Sequence, residues 1–142
     1  MATSSYIGRK NEDGNVEYIY CHWDGYLDHN GKILFEHYTH ENDVLDLLEQ
    51  GDLSTLEARV NPDKDEDHSW ENPAVGVCVF YMRDRGEKKK NLEAKITDDF
   101  ESLAGEVDFV YLFQDGAWFY QRKNSGLIPL SSVFSNPRNA EV

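Results

Sequence analysis

Apolar and polar residues alternate with period two at the start of the chain and then switch to a helical period. Ser4 to Lys10 reads as a short strand, and Val16 to His22 as its return partner. In the latter, Val16, Tyr18 and Tyr20 share one face and Glu17, Ile19 and Cys21 the other. Between them, Glu12-Asp13-Gly14-Asn15 is a turn in which Gly14 can take φ > 0. Trp23-Asp24-Gly25-Tyr26 then breaks the alternation. From about Asn30 the stripe Ile33, Leu34, His37, Tyr38 predicts a helix. A second helix runs from about Asn42 to Gln50, with Asn42 as N-cap and Gly51 as its stop. Its buried arc is Val44, Leu45, Leu47 and Leu48; Asp43, Asp46 and Glu49 lie outside that arc.

The second half predicts more sheet. Gly51 to Val60 reads as irregular or short strand. Gly76 to Met82 and Val107 to Phe113 are apolar on both faces, which predicts interior strands. Thr97 caps a short helix over Asp98 to Ala104. Asp115-Gly116 turns a hairpin whose return is Ala117 to Arg122, and Leu127 to Phe134 is an edge strand interrupted by Pro129. This order predicts an α+β fold: a mainly antiparallel sheet with two to three helices packed on one face. At 142 residues the chain reads as a single domain, 1–142, with an acidic flexible loop at 61–73 and a frayed tail at 135–142.

Charge changes the picture because it is regional. Between Asn11 and Glu71 there are 17 Asp/Glu against three Lys/Arg; elsewhere there are 10 against 11. The net charge of −13 therefore sits in one stretch. Such a field repels nucleic acid and attracts basic protein surfaces. No run approaches a membrane span, and the beginning of the chain lacks an apolar leader, so a cytoplasmic location is expected. The two cysteines, Cys21 and Cys78, fall in strands and read as buried reduced thiols.

Tyr20-Cys21-His22-Trp23-Asp24-Gly25-Tyr26, followed by His29-Asn30-Gly31-Lys32-Ile33-Leu34 and His37-Tyr38, resembles a group of small phage- and prophage-encoded proteins. Met1 to Ser5, Gly51 to Ser54, Asp67 to Pro73 and Arg83 to Gly86 fit the same pattern, so the resemblance spans most of the chain. It implies a phage-type origin and assigns no catalytic residue. Small acidic proteins of that origin share a purpose, the blocking of a host defence or host enzyme.

Two sites compete. In the first, a carboxylate-rich surface of Asp43, Asp46, Glu49, Asp63, Asp65, Glu66 and Asp67, with Trp70 as aromatic anchor, binds a host or defence protein that has a basic surface. The protein would then be a non-enzymatic inhibitor of the anti-CRISPR or anti-restriction kind, acting in the cytoplasm of an infected or lysogenic bacterium without touching nucleic acid itself. In the second, Trp23 and Tyr26 stack a planar ligand while His22, Asp24, Lys32, Arg83 and Arg85 hold its polar edge, making a binding module or sponge for a nucleotide signal. Against the second, Trp23 to Tyr26 also reads as a plain strand-to-helix corner. There Asp24 accepts backbone N–H groups, Gly25 supplies the special φ and Trp23 packs on the core.

Other chemistry finds little footing. His37 and His40 are spaced i, i+3, but zinc needs three or four ligands and the cysteines are not at chelating spacing. Asp63-x-Asp65-x-Asp67 lacks the Gly and bidentate Glu of a calcium loop. Cys21 and His22 are adjacent on a strand and point to opposite faces, a poor nucleophile–base pair. No metal and no cofactor is expected.

Overall fold

The computed structural model describes residues 3–88, 91–123 and 125–134. The expected hairpin is present: β1 (Ser5–Lys10) pairs antiparallel with β2 (Val16–Cys21), placing Ile7 opposite Ile19. Six further strands are β3 (Leu53–Thr55), β4 (Val79–Phe80), β5 (Lys95–Thr97), β6 (Phe109–Gln114), β7 (Ala117–Gln121) and β8 (Ile128–Pro129). The helices α1 (Lys32–His37) and α2 (Glu41–Glu49) lie between β2 and β3. The strand order is β4-β3-β2-β1-β6-β7-β8, with β5 also on β2. Among the named strands of the described residues, β1–β6 and β2–β3 pair parallel and the rest antiparallel, so the fold is α+β with a mixed, mainly antiparallel sheet.

The sheet buries both faces, by different means. Ile7, Ile19, Cys21, Leu53, Phe80, Tyr111 and Phe113 pack against Leu34 and Tyr38 at α1 and against Val44, Leu47 and Leu48 of α2. Burying each of these large side chains stabilises by about 1.5–3 kcal/mol. On the reverse face Val16, Val110 and Leu112 lie under Phe100, Leu103 and Ala104. Those three belong to a 3-10 turn over Phe100–Gly105, capped by Asp99, whose Oδ1 accepts the Ser102 N–H at 3.3 Å. Two helices thus share one face as the pattern predicts, and the short third one covers the other.

Local differences have local causes. The chain enters α1 through a π-helical turn at Leu27–Gly31, so the helix starts at Lys32 rather than Asn30. Leu34 and Tyr38 are buried, whereas His37 is exposed instead of joining the stripe. Gly51 ends α2 as expected: it sits at φ +81°, and a Cβ there would come within 2.4 Å of the Leu92 carbonyl oxygen.

The larger correction concerns Gly76 to Met82. Only Val79–Phe80 pairs as strand, and it stands at the end of the sheet order rather than inside it. Val77 to Phe80 are still buried. The Arg83 turn and the 61–73 loop cover them: Arg83 Nη2 and His68 Nε2 both lie 3.1 Å from the Cys78 carbonyl oxygen, and the Arg83 guanidinium is 4.8 Å from the Phe80 ring centre. An apolar run reports burial on both faces, and a loop can supply it as well as a neighbouring strand. Val107 to Phe113 does form an interior strand, β6 between β1 and β7. The tail 135–142 lies outside the described residues. Among the described residues, no helix is long and apolar enough to cross a membrane.

Candidate functional site

The 61–73 loop has no regular secondary structure, yet it is tied down at two places. Arg59 grips Glu66 with both ends of its fork, Nη1 to Oε1 at 2.9 Å and Nη2 to Oε2 at 3.1 Å, and lies 3.5 Å from Asp63. The Arg59 hydrogen bonds hold the Glu66 carboxyl below its ordinary range. Further on, His68 turns inward, where Nδ1 accepts the Ala74 N–H at 2.9 Å and Nε2 faces Asp84 and the Cys78 carbonyl.

These ties fix where the acidic residues sit. Asp46 and Glu49 are exposed on α2, opposite buried Val44, Leu47 and Leu48. Asp43 is half-buried, not on the open face, and lines a shallow cleft of about 250 Å³ shared with Asp46, Arg59 and Asn61. This cleft brings the acidic helix and the start of the acidic loop side by side. Among the described residues, none of Asp43, Asp46, Glu49, Asp65 or Asp67 forms an ion pair. Asp63 and Glu66 spend their charge on Arg59. Five of the seven predicted carboxylates therefore present an unneutralised field.

The residues of the alternative pocket are not gathered. All five N–H groups of Arg83 are used within the fold: Nε on Asp84 Oδ1, Nη1 on the Val60 carbonyl and Asn61 Oδ1, Nη2 on the Cys78 carbonyl and Asp84 Oδ2. Arg85 pairs with Glu87 at 2.9 Å and lies 4.2 Å from the Trp70 ring centre and 5.2 Å from that of Tyr81. Lys32 is exposed at the start of α1. The cleft at the hairpin tips, about 560 Å³, is lined by residues such as Arg9, His40, Glu41 and Asp115. A second, of similar size, is lined by Ser4, Glu106, Asp108 and Arg122 among others; neither contains a residue of the predicted pocket.

Trp23 to Gly31 is a structural corner, though not in the predicted detail. Asp24, not Gly25, takes the left-handed backbone, at φ +56°. Gly25 is needed for close approach instead, since a Cβ would meet the Ser4 carbonyl oxygen at 2.8 Å. Its own carbonyl accepts the Tyr111 hydroxyl at 2.6 Å. Asn30 is fully buried and donates to Ser5 Oγ, Cys21 Sγ and the Trp23 carbonyl. Trp23 does not pack inward; it is 45% exposed, and Tyr26 is 42% exposed.

One arrangement was not anticipated from the chain. On the sheet face away from α1 and α2, aromatic rings meet in series: Tyr18 and Tyr6 at 5.0 Å between centroids, Tyr6 and Tyr20 at 6.1 Å, Tyr20 and His22 at 6.0 Å, His22 and Trp23 at 4.6 Å. The Tyr20 hydroxyl lies 2.9 Å from His22 Nδ1. Cys21, Leu53 and Phe80 share one cross-strand row, so the next row contains Tyr20, Asp52 and Tyr81. The Asp52 carboxylate accepts the Tyr20 N–H at 2.9 Å and stands 3.6 Å from Lys95 Nζ. Period-two tyrosines at 18 and 20, with Tyr6 across the hairpin, were the available signal.

Neither cysteine is activated as a nucleophile. Burial pushes the thiol of Cys21 up to about 12 and that of Cys78 up to about 11, so both stay protonated at neutral pH. Both are free and buried. Among the described residues, no three His, Cys, Asp or Glu side chains gather to hold a metal ion. No family model, curated protein or solved structure matches the chain.

Proposed function

We propose that this is a non-enzymatic, phage-type protein that binds a host or defence protein through its acidic surface and inhibits it, in the manner of an anti-CRISPR or anti-restriction factor in the bacterial cytoplasm. The observation that carries the reading is the set of five carboxylates, Asp43, Asp46, Glu49, Asp65 and Asp67, that form no ion pair among the described residues and sit on α2 and on the loop whose start adjoins it. Uncompensated charge held on a fixed scaffold steers an oppositely charged partner and fixes its orientation. A partner that grips nucleic acid with Lys and Arg presents the complementary field and would be occluded. The reading as a nucleotide sponge has weaker support, because Arg83 has no donor left for a phosphate.

The test is capture from host extract with the wild-type chain, beside a variant in which Asp46, Glu49, Asp65 and Asp67 carry amides. A captured protein that loses nucleic-acid binding with wild type, and is not retained by the variant, supports the proposal. Equal retention by both, or a nucleotide released from the purified chain on heating, overturns it.

A further inference from the structure

We infer that the aromatic platform of Tyr20, His22, Trp23, Tyr81 and Trp70 on the reverse sheet face is a second surface on which the partner docks, and that it receives arginine side chains from that partner. The inference rests on the acidic-surface reading and adds a contact to it, because α2 and its carboxylates lie on the other face of the sheet. The Phe100–Gly105 turn covers only part of this face: Tyr6 and Tyr18 pack against it, whereas Tyr20 joins neither buried cluster. Beyond Tyr20, Trp23 and Trp70 are each 45% exposed. A single exposed aromatic needs no explanation, but several along one side of a sheet mark an interaction surface. The platform is open, and neither of the two clefts of about 560 Å³ includes it, which suits a protein surface better than an enclosed small molecule.

Charge selects the kind of side chain. Tyr20 lies in the field of Asp52 and Asp108, Tyr6 donates its hydroxyl to Glu106 at 2.9 Å, and Asp24 follows Trp23. Among the described residues, Lys95 is held by Asp52 and Arg85 by Glu87, while Lys88 is exposed. Ring faces set among carboxylates favour a cation, above all a guanidinium, which stacks flat and desolvates readily. The chain carries an example of that contact itself: Arg85 lies over Trp70 and Tyr81 and fills that side of both rings, so an incoming arginine meets Trp70 only on its exposed part. Single-stranded nucleic acid also stacks on aromatic rings, but a chain of net charge −13 repels its phosphates.

The experiment titrates the protein with a synthetic Arg-Gly repeat peptide, its citrulline counterpart and an oligothymidylate, following the three indole N–H resonances. Trp118 is the internal control, because its Nε1 donates to the Tyr38 carbonyl at 2.8 Å inside the core. The arginine peptide should shift the Trp23 and Trp70 signals and leave Trp118 unmoved, and citrulline should shift none. Trp23→Ala and Trp70→Ala should each weaken arginine-peptide binding about tenfold. An unmoved Trp118 signal certifies the fold of each variant, and His22→Ala serves as a third variant at the same platform. Equal binding of citrulline, or wild-type affinity in all three variants, overturns the platform. If affinity instead falls only in the Asp46, Glu49, Asp65 and Asp67 amide variant, the acidic surface stands and the platform fails. If no basic peptide binds, both readings fail. Shifts produced by oligothymidylate overturn arginine as the occupant.

Discussion

His68 Nε2 lies 3.4 Å from Asp84 Oδ2, with the two side chains only 3% and 5% exposed. Because Nδ1 accepts the Ala74 N–H, the neutral ring carries its proton on Nε2, where it meets the Cys78 carbonyl and the Asp84 carboxylate. The carboxylate also accepts the Phe80 N–H at 2.7 Å and the Arg83 fork. This clip joins the acidic loop to the end of the sheet. His68→Ala leaves buried partners unsatisfied and should cost about 1–3 kcal/mol. It should also speed amide exchange through residues 61–73, and unchanged exchange there would remove the clip from the account.

Asp84 makes the clip acid-sensitive. Burial alone would raise its carboxyl, but the Arg83 and Phe80 hydrogen bonds and the Arg83 charge outweigh that and hold it below the ordinary 3.8. A carboxyl depressed in the folded state contributes its stability above the unfolded value, and loses it as pH falls through the folded one. Melting temperature should therefore drop as pH is taken down through and below 3.8. Asp84→Asn should cost about 3–5 kcal/mol at neutral pH, since it strands Arg83, and should show a shallower acid loss. Equal acid profiles for wild type and variant would contradict this.

Asp52 has the opposite sign. Burial raises its carboxyl despite the Tyr20 N–H and Lys95, so the ionised form is held at a cost. Stability gained from this site appears as pH falls through the raised folded value and is complete below 3.8. Asp52→Asn keeps an acceptor for the Tyr20 N–H and should be neutral or stabilising at pH 7. Asp52→Ala removes the acceptor and should cost about 1–3 kcal/mol. Chemical denaturation of the two variants at pH 7 separates these outcomes.

The core makes a firmer forecast. Phe80 is fully buried and Phe109 is 7% exposed, so either change to Ala should cost about 3–5 kcal/mol in denaturant unfolding. A cost under about 1 kcal/mol at Phe80 would mean that the 61–73 loop and the Arg83 turn do not cover β4 as described.

The β1–β2 hairpin, α2 and the β6–β7 hairpin were legible because each is set by local chemistry: alternation around Gly14, the Val44–Leu48 arc stopped at Gly51, and the Asp115-Gly116 turn, where both residues take φ > 0. The placement of β4 was not legible, because Val77 to Phe80 are covered by His68 and Arg83, and neither contact has a periodic signature. Arg83 looked like a ligand clamp for the same reason; its partners at Val60 and Asn61 are distant in sequence. Asp46, Glu49, Asp65 and Asp67 were readable as a charged surface, whereas the loss of Glu66 to Arg59 needed the fold. The aromatic face passed unnoticed because tyrosines at alternate positions also suit a buried sheet.

The central claim is that the unpaired carboxylates drive association. The direct measurement is stopped-flow binding of the captured partner across a range of salt, for wild type and for the Asp46→Asn, Glu49→Gln, Asp65→Asn, Asp67→Asn variant. These side chains are exposed and make no ion pair among the described residues, so the variant should melt within a few degrees of wild type. The account predicts slower association for the variant and a flatter dependence on salt. Association as fast as wild type, with the same salt dependence, would contradict it.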